Sequence, residues 1–524
     1  MFLFKKYILY YIYMLNLYFI LLIFILIKKY SKYANISFLI KLYTNIFYIN
    51  KIKSEKKKIS EKILKDMTKN DPTDIIIKKL PYTNYDSNKL VTILDQWSNK
   101  ERTKYKNKMS GTLYNYDTIL LENLGFVFKK YAYSNPLHPD IYPSLRKMES
   151  EIISMSCDIF HLNNEEGCGV LTTGGTESII LAIKAYRDLW YKKTWFTSFR
   201  KPNIVVPKSI HAAFDKACKI MNIEIRYAKL NMITYAVDID DVKNYIDDNT
   251  IMIGASAPCY PYGIIDPIEQ LSELAIKKNI GFHVDSCLGG FILGLNNSKK
   301  YIDVKFDFIL KGVTSLSADT HKYGYTPKGS SILLYRNNNI KKYQYSLCID
   351  WTGGIYATPT LLGSRPGYTI ACTWFTLLYH GKKKYIEHSD KIISKCNELY
   401  INISKIEELQ ILGYPQLNVI SFKNNKNKLS TNKFMHIIEL IQKENWCLNV
   451  LQNPIAVHIC ITLDNIDNCN NLYIKLIELI KKIKDIPEKN IHSNLSSIYG
   501  MSSSISGEHI EDIAISFLDS LTYI

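Results

Sequence analysis

The chain has 524 residues, more than one hydrophobic core usually spans, so two or three packed units are expected. Hydrophobic residues make up 47% and charged residues 22%, which excludes wholesale disorder. The formal net charge is +17, but the lysines are scattered and no zinc-finger spacing or RNA-binding motif occurs, so nucleic-acid binding is not expected. The 11 cysteines are dispersed without a C-x-x-C pair, which indicates reduced thiols rather than a disulfide framework.

The first 50 residues are predicted to be a membrane anchor region. Residues 9–27 are nearly all apolar and are flanked by lysines, and a helix of this length rises about 28 Å, enough to cross a bilayer. A cleaved signal peptide is the alternative, but its apolar core is usually shorter and no small-residue cleavage site follows. The flanking lysines favour a cytosolic body. A second apolar run, 36–49, is expected at the membrane interface or packed on the body.

Residues 51–150 are predicted to be a linker (51–70) and an N-terminal segment, followed by a large α/β domain over 151–365 and a smaller α+β domain over 366–524. In the large domain, short apolar runs alternate with helical patterns, which is typical of a mainly parallel sheet. The predicted strands are 204–206, 251–255, 282–284, 308–310, 313–318 and 331–335, and the predicted helices include 176–191 and 266–278.

One motif is suited to a phosphate. The string Thr172-Thr-Gly-Gly-Thr-Glu-Ser178 directly precedes a helical pattern. Glycines allow a ligand to approach the backbone closely, and a helix start offers free N–H groups to an anion. The alternative is an ordinary glycine turn with Thr176 as the helix cap. The string lacks the lysine of a Walker A loop and the spacing of a dinucleotide-binding loop.

Three further motifs stand at predicted strand ends. Lys322, beside His321, follows an apolar run, and desolvation there would lower the pKa of its amine and make it nucleophilic. Asp285 closes the string His283-Val-Asp285, where a buried carboxylate needs a cationic partner. His211 could stack on a flat ring. The ordinary explanations are a surface lysine, an aspartate that caps a turn, and a structural histidine.

Taken together, the four motifs favour one cofactor. A phosphate cradle, a ring stacker, an acid and a lysine follow each other along the chain. They match the phosphate, ring face, ring nitrogen and aldehyde of pyridoxal 5′-phosphate (PLP). The sequence therefore predicts an enzyme that holds PLP as a Schiff base on Lys322.

From about Ser110 to the C-terminus, the chain resembles the sphingosine-1-phosphate lyase family, a group of fold-type I PLP enzymes related to the group II decarboxylases. Thr173 and Ser286 depart from the serine and alanine expected at these positions. The strings that carry the resemblance are Asn135–Asp140, Gly174–Ser178, His211–Phe214, Gly263–Pro267, His283–Asp285, Gly289–Gly290, Ser317–Tyr325, Pro327–Ser331, Trp351–Gly354, Gly363–Gly367 and Ile498–Met501.

The resemblance implies a fold-type I PLP-dependent transferase-like large domain and assigns roles to individual residues. Lys322, Asp285 and His211 are the implied catalytic residues, and no metal is implied. The implied cofactor-binding residues are Gly175, Thr176, His211, Asp285, His321 and Lys322. The implied substrate-binding residues, which chiefly contact a phosphate, are Tyr114, Asn135, His138 and Lys328.

The implied reaction cleaves the C2–C3 bond of sphingosine 1-phosphate and related phosphorylated sphingoid bases, yielding a long-chain aldehyde and phosphoethanolamine. The base that removes the hydroxyl proton is left open between Lys322, a tyrosine and the substrate phosphate. The resemblance also implies a single-pass protein of the endoplasmic reticulum membrane with its catalytic domain in the cytosol. It further implies a homodimer with shared active sites, in which Tyr114 or the Gly363 loop reaches the partner's site.

Two alternatives remain at this point. A PLP-dependent amino-acid decarboxylase shares the fold, but the phosphate-binding candidates Tyr114, His138 and Lys328 favour the lyase. An inactive membrane-anchored binding protein is the second alternative, and the presence of every cofactor-binding residue argues against it.

Overall fold

The computed structural model describes residue 61 and residues 77–163, 167–194, 200–296, 302–491, 493 and 507–522. The chain divides into two compact units, one of residues 91–499 and one that joins residues 1–90 with 500–524. The predicted anchor 9–27, the apolar run 36–49, the linker 51–70 apart from Glu61, and the string Ile498–Met501 lie outside the described residues. Among the helices that are described, none combines the length and apolar character needed to cross a membrane.

A seven-stranded sheet forms the centre of the larger unit. Its spatial order is β1-β7-β6-β5-β4-β2-β3. Strands β6, β5, β4, β2 and β3 run parallel, while β7 is antiparallel to both β1 and β6. The strands are β1 (Cys168–Thr172), β2 (Asn203–Pro207), β3 (Glu224–Ala228), β4 (Thr250–Ser256), β5 (Gly281–Asp285), β6 (Ser315–Ala318) and β7 (Ser331–Tyr335). The mainly parallel α/β fold predicted from the sequence is confirmed.

Helices precede the sheet and connect its strands. They are α1 (Ser87–Lys104), α2 (Thr118–Tyr131), α3 (Pro143–Ile159), α4 (Gly175–Lys193), α5 (Ala213–Met221), α6 (Ile239–Tyr245), α7 (Ile268–Lys278), α8 (Gly290–Gly294) and α9 (Asn338–Lys341). Polar side chains set several ends: Asp117 and Asp238 accept N–H groups at the starts of α2 and α6. The left-handed residues Asn222 and Asn279 end α5 and α7.

A second, antiparallel sheet follows the long helix α10 (Gly367–Ser404), which is interrupted at Gly381, where φ is 60°. Its order is β10-β11-β13-β12. Its strands are β10 (Leu409–Ile411), β11 (Val419–Asn424), β12 (Asn449–Leu451) and β13 (Ala456–Cys460), with helices α11 (Thr431–Lys443) and α12 (Cys469–Ile483). A two-stranded hairpin of β8 (Ser346–Cys348) and β9 (Tyr356–Thr358) precedes α10, and α13 (Gly507–Ser520) belongs to the other unit.

Burial explains why the parallel strands were predictable. Every residue of β2 and β4 is buried, and such two-sided burial produces the continuous apolar runs that the sequence displays. The predicted strand 308–310 is wrong, because this segment is a turn. The carbonyl groups of Phe308 and Leu310 turn inward and accept hydrogen bonds from the Arg336 guanidinium at 3.1 and 2.7 Å.

Candidate active site

A cavity of about 320 Å³ lies at the carboxyl ends of β1, β5 and β6, the edge where α/β sheets bind ligands. We call it the lysine cavity. All four sequence motifs contribute to its wall, although they come from distant parts of the chain. Its lining residues are Thr173, Gly174, Gly175, Thr176, Glu177, Ile179, His211, Asp285, Cys287, Asp319, His321 and Lys322.

The glycine loop is tightly packed where α4 begins. A Cβ atom on Gly175 would lie 2.7 Å from the Cys287 sulfur and 2.9 Å from Oδ1 of Asp319, so only glycine fits here. The first turn of α4 lines the cavity, and the N-terminal end of a helix, with its free N–H groups, favours an anion. This geometry is suited to the phosphate of a cofactor.

Glu177, in the first turn of α4, holds the glycine loop in place. Its Oε2 accepts hydrogen bonds from the backbone N–H and the hydroxyl of Thr173, both at 2.7 Å. Its Oε1 accepts the N–H of Leu361 at 2.9 Å. The buried carboxylate therefore connects the glycine loop to the segment before α10.

Lys322 forms an ion pair with the buried carboxylate of Asp319, a residue to which the sequence assigned no role. The Lys322 ammonium lies 3.0 Å from Oδ2 of Asp319, and the carboxylate is only 3% exposed. Burial is the largest single effect and disfavours the ammonium, but the charge and hydrogen bond of Asp319, together with smaller effects of Cys287 and Tyr114, outweigh it and raise the pKa of Lys322 above its usual range. The lowered pKa expected from the sequence is therefore wrong, because the strand end that buries the amine also supplies its counterion.

Asp319 itself stays charged. Burial acts against its carboxylate, but Lys322 and then His321 outweigh burial and lower the pKa of Asp319. Its Oδ1 is buried and has no hydrogen-bond partner among the described residues. The sequence contained one signal for this pair, the spacing of three residues between an acid and a lysine in Asp319-Thr-His-Lys322.

His321 faces Asp319 with one ring nitrogen and the protein backbone with the other. Its Nδ1–H donates to the carbonyl of Ser330 at 2.6 Å, and Nε2 lies 3.6 Å from Oδ2 of Asp319. Burial lowers the pKa of His321, Asp319 opposes this, and the charges of Lys328 and Lys322 lower it further. His321 is thus a neutral ring with a fixed tautomer at neutral pH.

Asp285 and His283 lie on β5 but differ in role. Asp285 ends the strand in the cavity wall, and its Oδ1 accepts the N–H of Cys287 at 3.1 Å. His283 is fully buried, with Nδ1 2.7 Å from the Ser315 hydroxyl and Nε2 3.1 Å from that of Ser317. Burial lowers the pKa of His283 to about 4, although Asp285 opposes the shift, so the histidine is neutral and structural.

His211 contributes an exposed ring to the lysine cavity. Its Nδ1 accepts the N–H of Ala213 at 3.1 Å, a contact that anchors the ring at the start of α5. Thr176 lies in the first turn of α4 on the same cavity wall. The structure thus brings together all six residues predicted to bind a cofactor.

A second cavity, of about 290 Å³, adjoins the first through His321, which lines both. We call it the leucine cavity. Tyr114 and Lys328 lie in its wall, with the Lys328 ammonium 4.7 Å from the centre of the Tyr114 ring. Desolvation, followed by the charge of Lys322, lowers the pKa of Lys328. The other lining residues are Thr112, Leu113, Asn115, Tyr116, Asp117, Leu120, Leu121, Leu124, Tyr325, Thr326 and Pro327.

Asn135 and His138, the other two predicted substrate-binding residues, do not line either of these two cavities. The Asn135 amide donates to the Ser364 hydroxyl at 3.1 Å, and its Oδ1 accepts the N–H of Arg365 at 3.3 Å. His138 is exposed. Within one chain, the predicted phosphate-binding residues therefore form two groups, Tyr114 with Lys328 and Asn135 with His138.

The lysine cavity fits PLP. The start of α4, with Gly175 and Thr176 in the cavity wall, suits a phosphate, and the carboxylate of Asp285 suits a protonated ring nitrogen. The amine of Lys322 is available for the aldehyde carbon, and the exposed ring of His211 for the flat face of the cofactor.

Comparison with known proteins assigns the chain to a class. Residues 68–425 match the family described as the pyridoxal-dependent decarboxylase conserved domain. The chain therefore belongs to this family of PLP-dependent enzymes, and PLP is its cofactor. The solved structure of Lactobacillus brevis glutamate decarboxylase has a TM-score of 0.67, covers 79% of this chain and 96% of its own, and at 17% identity shares the fold alone.

More similar proteins narrow the assignment. Sphingosine-1-phosphate lyase 1 of Rattus norvegicus is 39% identical over 477 residues, which cover 88% of this chain and 80% of the rat protein. The Saccharomyces cerevisiae lyase is 34% identical and covers 90% and 80%, respectively. The structure of the Burkholderia pseudomallei lyase has a TM-score of 0.74 at 34% identity and covers 78% of this chain and 94% of its own. Within its family, the chain belongs with the sphingosine-1-phosphate lyases.

Proposed function

We propose that this chain is a PLP-dependent lyase that cleaves the C2–C3 bond of sphingosine 1-phosphate and related phosphorylated sphingoid bases. The products are a long-chain aldehyde and phosphoethanolamine. One observation supports this most directly: a lysine cavity with every cofactor-binding group adjoins a cavity that pairs a cation with an apolar wall. The similarity to lyases from animals, yeast and bacteria supports the same reaction.

Each residue of the lysine cavity has a task in this proposal. The bound cofactor supplies the electron sink for the breaking C2–C3 bond, chemistry that no side chain offers. Lys322 would hold the cofactor covalently through its amine, and Asp319, 3.0 Å away, would pair with the ammonium of this lysine whenever it is free. Asp285 provides the negative charge beside the ring nitrogen, and His211 covers one ring face. Gly175, Thr176 and His321 surround the phosphate.

The leucine cavity receives the phosphorylated substrate. Lys328 lines this cavity together with His321 and offers a positive charge to a phosphate. The Tyr114 hydroxyl is a second donor for a phosphate oxygen. We propose that Asn135 and His138 lie on the approach to the site, because Asn135 accepts the N–H of Arg365, in the same segment as Leu361, whose N–H is bound by Glu177 of the lysine cavity.

The amino-acid decarboxylase is the less supported alternative. A decarboxylase would need a cation to bind the carboxylate of its amino-acid substrate, but it would need no long apolar wall. The leucine cavity, by contrast, has both a lysine and four leucines. An inactive binding protein is also less supported, because it would not need a lysine and its carboxylate counterion in the cofactor cavity.

We also propose that the enzyme is a homodimer with shared active sites. Exposed apolar side chains on and near the β8–β9 hairpin, including Leu347, Ile349, Trp351 and Ile355, support an interface there. Tyr114 lines the leucine cavity of its own chain. The Gly363 loop is therefore the better candidate to reach the partner's site.

The proposed location is the endoplasmic reticulum membrane, with residues 9–27 as a single anchor and the catalytic body in the cytosol. The apolar run and its flanking lysines support this, as does a substrate whose alkyl chain partitions into bilayers. The proposed division of the chain is the anchor region 1–50, the linker and N-terminal segment 51–150, the cofactor domain 151–365 and the C-terminal domain 366–524.

The test is product analysis with purified protein, PLP and a phosphorylated sphingoid base. Long-chain aldehyde and phosphoethanolamine should appear in equal amounts. Lys322→Ala should lower the rate by at least about a thousand-fold because it removes the covalent anchor, whereas Lys216→Ala, at an exposed lysine, should not. Release of carbon dioxide from amino acids, without cleavage of the sphingoid base, would instead establish the decarboxylase.

A further inference from the structure

We propose that Arg365 is a positioning residue, which fixes the turn that carries Asn135 and His138 relative to the glycine loop of the lysine cavity. The inference rests on the proposed function and deepens it, since it names the residue that holds two predicted substrate-binding groups at a set distance from the loop that receives the cofactor phosphate. The string Gly363–Gly367 carried the resemblance, but it assigned no role to the Arg365 side chain.

Arg365 and Glu149 form a bidentate ion pair. The Nη1 and Nη2 groups of the guanidinium donate to the two carboxylate oxygens of Glu149 at 2.8 and 2.9 Å, and the arginine side chain is only 11% exposed. Two parallel charge-assisted bonds fix the direction of both side chains as well as their distance, and the ammonium of a lysine does not reproduce them. The geometry is therefore specific for an arginine at position 365.

The ion pair occupies the outer edge of β1. In the described part of the chain, this strand is the last of the seven on its side, so its outward backbone groups have no neighbouring strand. Oε1 of Glu149 accepts the N–H of Leu171 at 3.2 Å, and the Arg365 guanidinium donates to the carbonyl of the same residue, also at 3.2 Å. The pair thus takes the place of a neighbouring strand directly before the glycine loop.

A second carboxylate attaches the same segment to the glycine loop. Glu177 accepts the N–H of Thr173 with one oxygen and the N–H of Leu361 with the other, at 2.7 and 2.9 Å. The segment 361–365 is therefore held beside the end of β1 and the glycine loop at both of its ends, through Glu177 at one and through Arg365 at the other.

The backbone of this segment holds Asn135. The Asn135 amide donates to the Ser364 hydroxyl at 3.1 Å, and its oxygen accepts the backbone N–H groups of Arg365 and Leu137 at 3.3 and 3.1 Å. These three bonds fix the amide plane, and the N–H of His138 closes the turn on the Asn135 carbonyl at 3.2 Å. Arg365 therefore contacts β1 with its side chain and the turn with its backbone.

The first measurement is hydrogen exchange of the PLP-loaded protein, followed by mass spectrometry. Arg365→Lys keeps the charge but loses the bidentate geometry. Exchange should therefore quicken roughly ten-fold in peptides from two separate segments, residues 134–142 and residues 171–175, because each loses a fixed neighbour. Glu149→Gln removes the other half of the ion pair and should quicken exchange in the same two segments, which keeps the test valid if Arg365→Lys does not fold.

Arg226→Lys is the matched control. Arg226 lies on β3, at the opposite edge of the same sheet, and donates to the carboxylates of Glu224 and Asp247 and to the carbonyl of Tyr245. It thus forms the same kinds of bonds as Arg365 but lines neither the lysine cavity nor the leucine cavity. This variant should leave exchange in both segments unchanged.

Catalysis is the second measurement. At saturating PLP, the KM of Arg365→Lys for the phosphorylated sphingoid base should rise roughly ten-fold, the loss expected for one charge-assisted hydrogen bond, with kcat and the absorbance of bound PLP retained. Inhibition by phosphoethanolamine should weaken by the same factor. Adding Arg365→Lys to His138→Ala should raise KM by less than about two-fold, because the arginine acts through the turn that His138 belongs to.

The outcomes separate this proposal from the reaction itself. The proposal is wrong if exchange quickens in only one of the two segments, if Arg365→Lys behaves like Arg226→Lys, or if its effect on KM is as large with His138→Ala as without it. If the unaltered enzyme does not cleave the base, the proposed function fails, whereas hydrogen exchange still decides whether Arg365 couples the turn to the glycine loop.

Discussion

Asp319 and Lys322 form an ion pair in the wall of the lysine cavity, and the Asp319 carboxylate is buried there. A single buried charge is costly, whereas two opposite charges 3.0 Å apart compensate each other. The pair also explains the altered titration of both groups, with the pKa of the lysine raised and that of the aspartate lowered. Asp319 thus stores on Lys322 a proton that the amine must lose before it can attack a carbonyl.

Asp319→Asn should lower the pH at which Lys322 becomes a free amine. The counterion disappears while burial remains, so the midpoint of labelling by an amine-selective reagent should move down by roughly one to three pH units. Peptide mass spectrometry of the cofactor-free protein measures this at Lys322. Asp188→Asn, which breaks an ion pair with Lys184 elsewhere, should leave the Lys322 midpoint unchanged. An unchanged midpoint in Asp319→Asn would mean that the pair does not control the lysine.

The individual site residues differed in how far the sequence could predict them. Lys322, Asp285, His211 and Gly175 were predictable as members of one site because each stands at a strand end or helix start, and parallel strands place such ends along one edge. The titration of Lys322 was not predictable, since it depends on the direction in which the Asp319 side chain points. Apolar periodicity likewise does not distinguish a buried Leu120 from a half-exposed Leu121.

Among the elements, α4 joins cofactor binding to the packing of the segment before α10. Glu177 accepts three hydrogen bonds, two from Thr173 and one from Leu361. The glycine loop and the Leu361 segment therefore share one carboxylate. The glycine loop is thus tied to Leu361, which lies 184 residues after Glu177 in the chain.

Glu177→Gln should destabilise the protein and weaken cofactor binding. The side-chain amide keeps one acceptor oxygen and turns a donor toward an N–H that needs an acceptor, so one buried donor loses its partner at a cost of about 1–3 kcal/mol. Urea denaturation measures the loss, and titration with PLP measures the affinity. Glu122→Gln, at an exposed position on α2, should change neither. Equal denaturation midpoints for both variants would contradict the bridging role.

Strands buried on both faces were the elements that the sequence predicted best. Strands β2, β4 and β5 carry apolar runs because both of their faces are covered. Strand β3 (Glu224–Ala228) was missed, since this edge strand contains Glu224 and Arg226, whose charges meet in an ion pair. The turn at Phe308 was mistaken for a strand because its apolar side chain is buried while its carbonyl turns toward Arg336.

At the scale of the whole molecule, the proposed anchor over residues 9–27 can be tested by fractionation. The full chain should remain with membranes after a high-salt wash, and a chain beginning at Lys51 should be released. Phe19→Lys places a charge near the centre of the apolar run, at a cost of about 3 kcal/mol, and should reduce membrane retention. Tyr30→Lys, just beyond the run, serves as the control. Full release of the unaltered chain by salt would rule out a spanning anchor.

The lysine cavity draws its lining from positions 173 to 322, so its occupant touches loops that follow β1, β2, β5 and β6. A ligand that binds only the folded chain stabilises it by mass action, by about 2.7 kcal/mol when its concentration is a hundred times its dissociation constant. The supply of PLP in a cell should therefore affect how many copies of this protein survive proteolysis, in addition to how many of them are active.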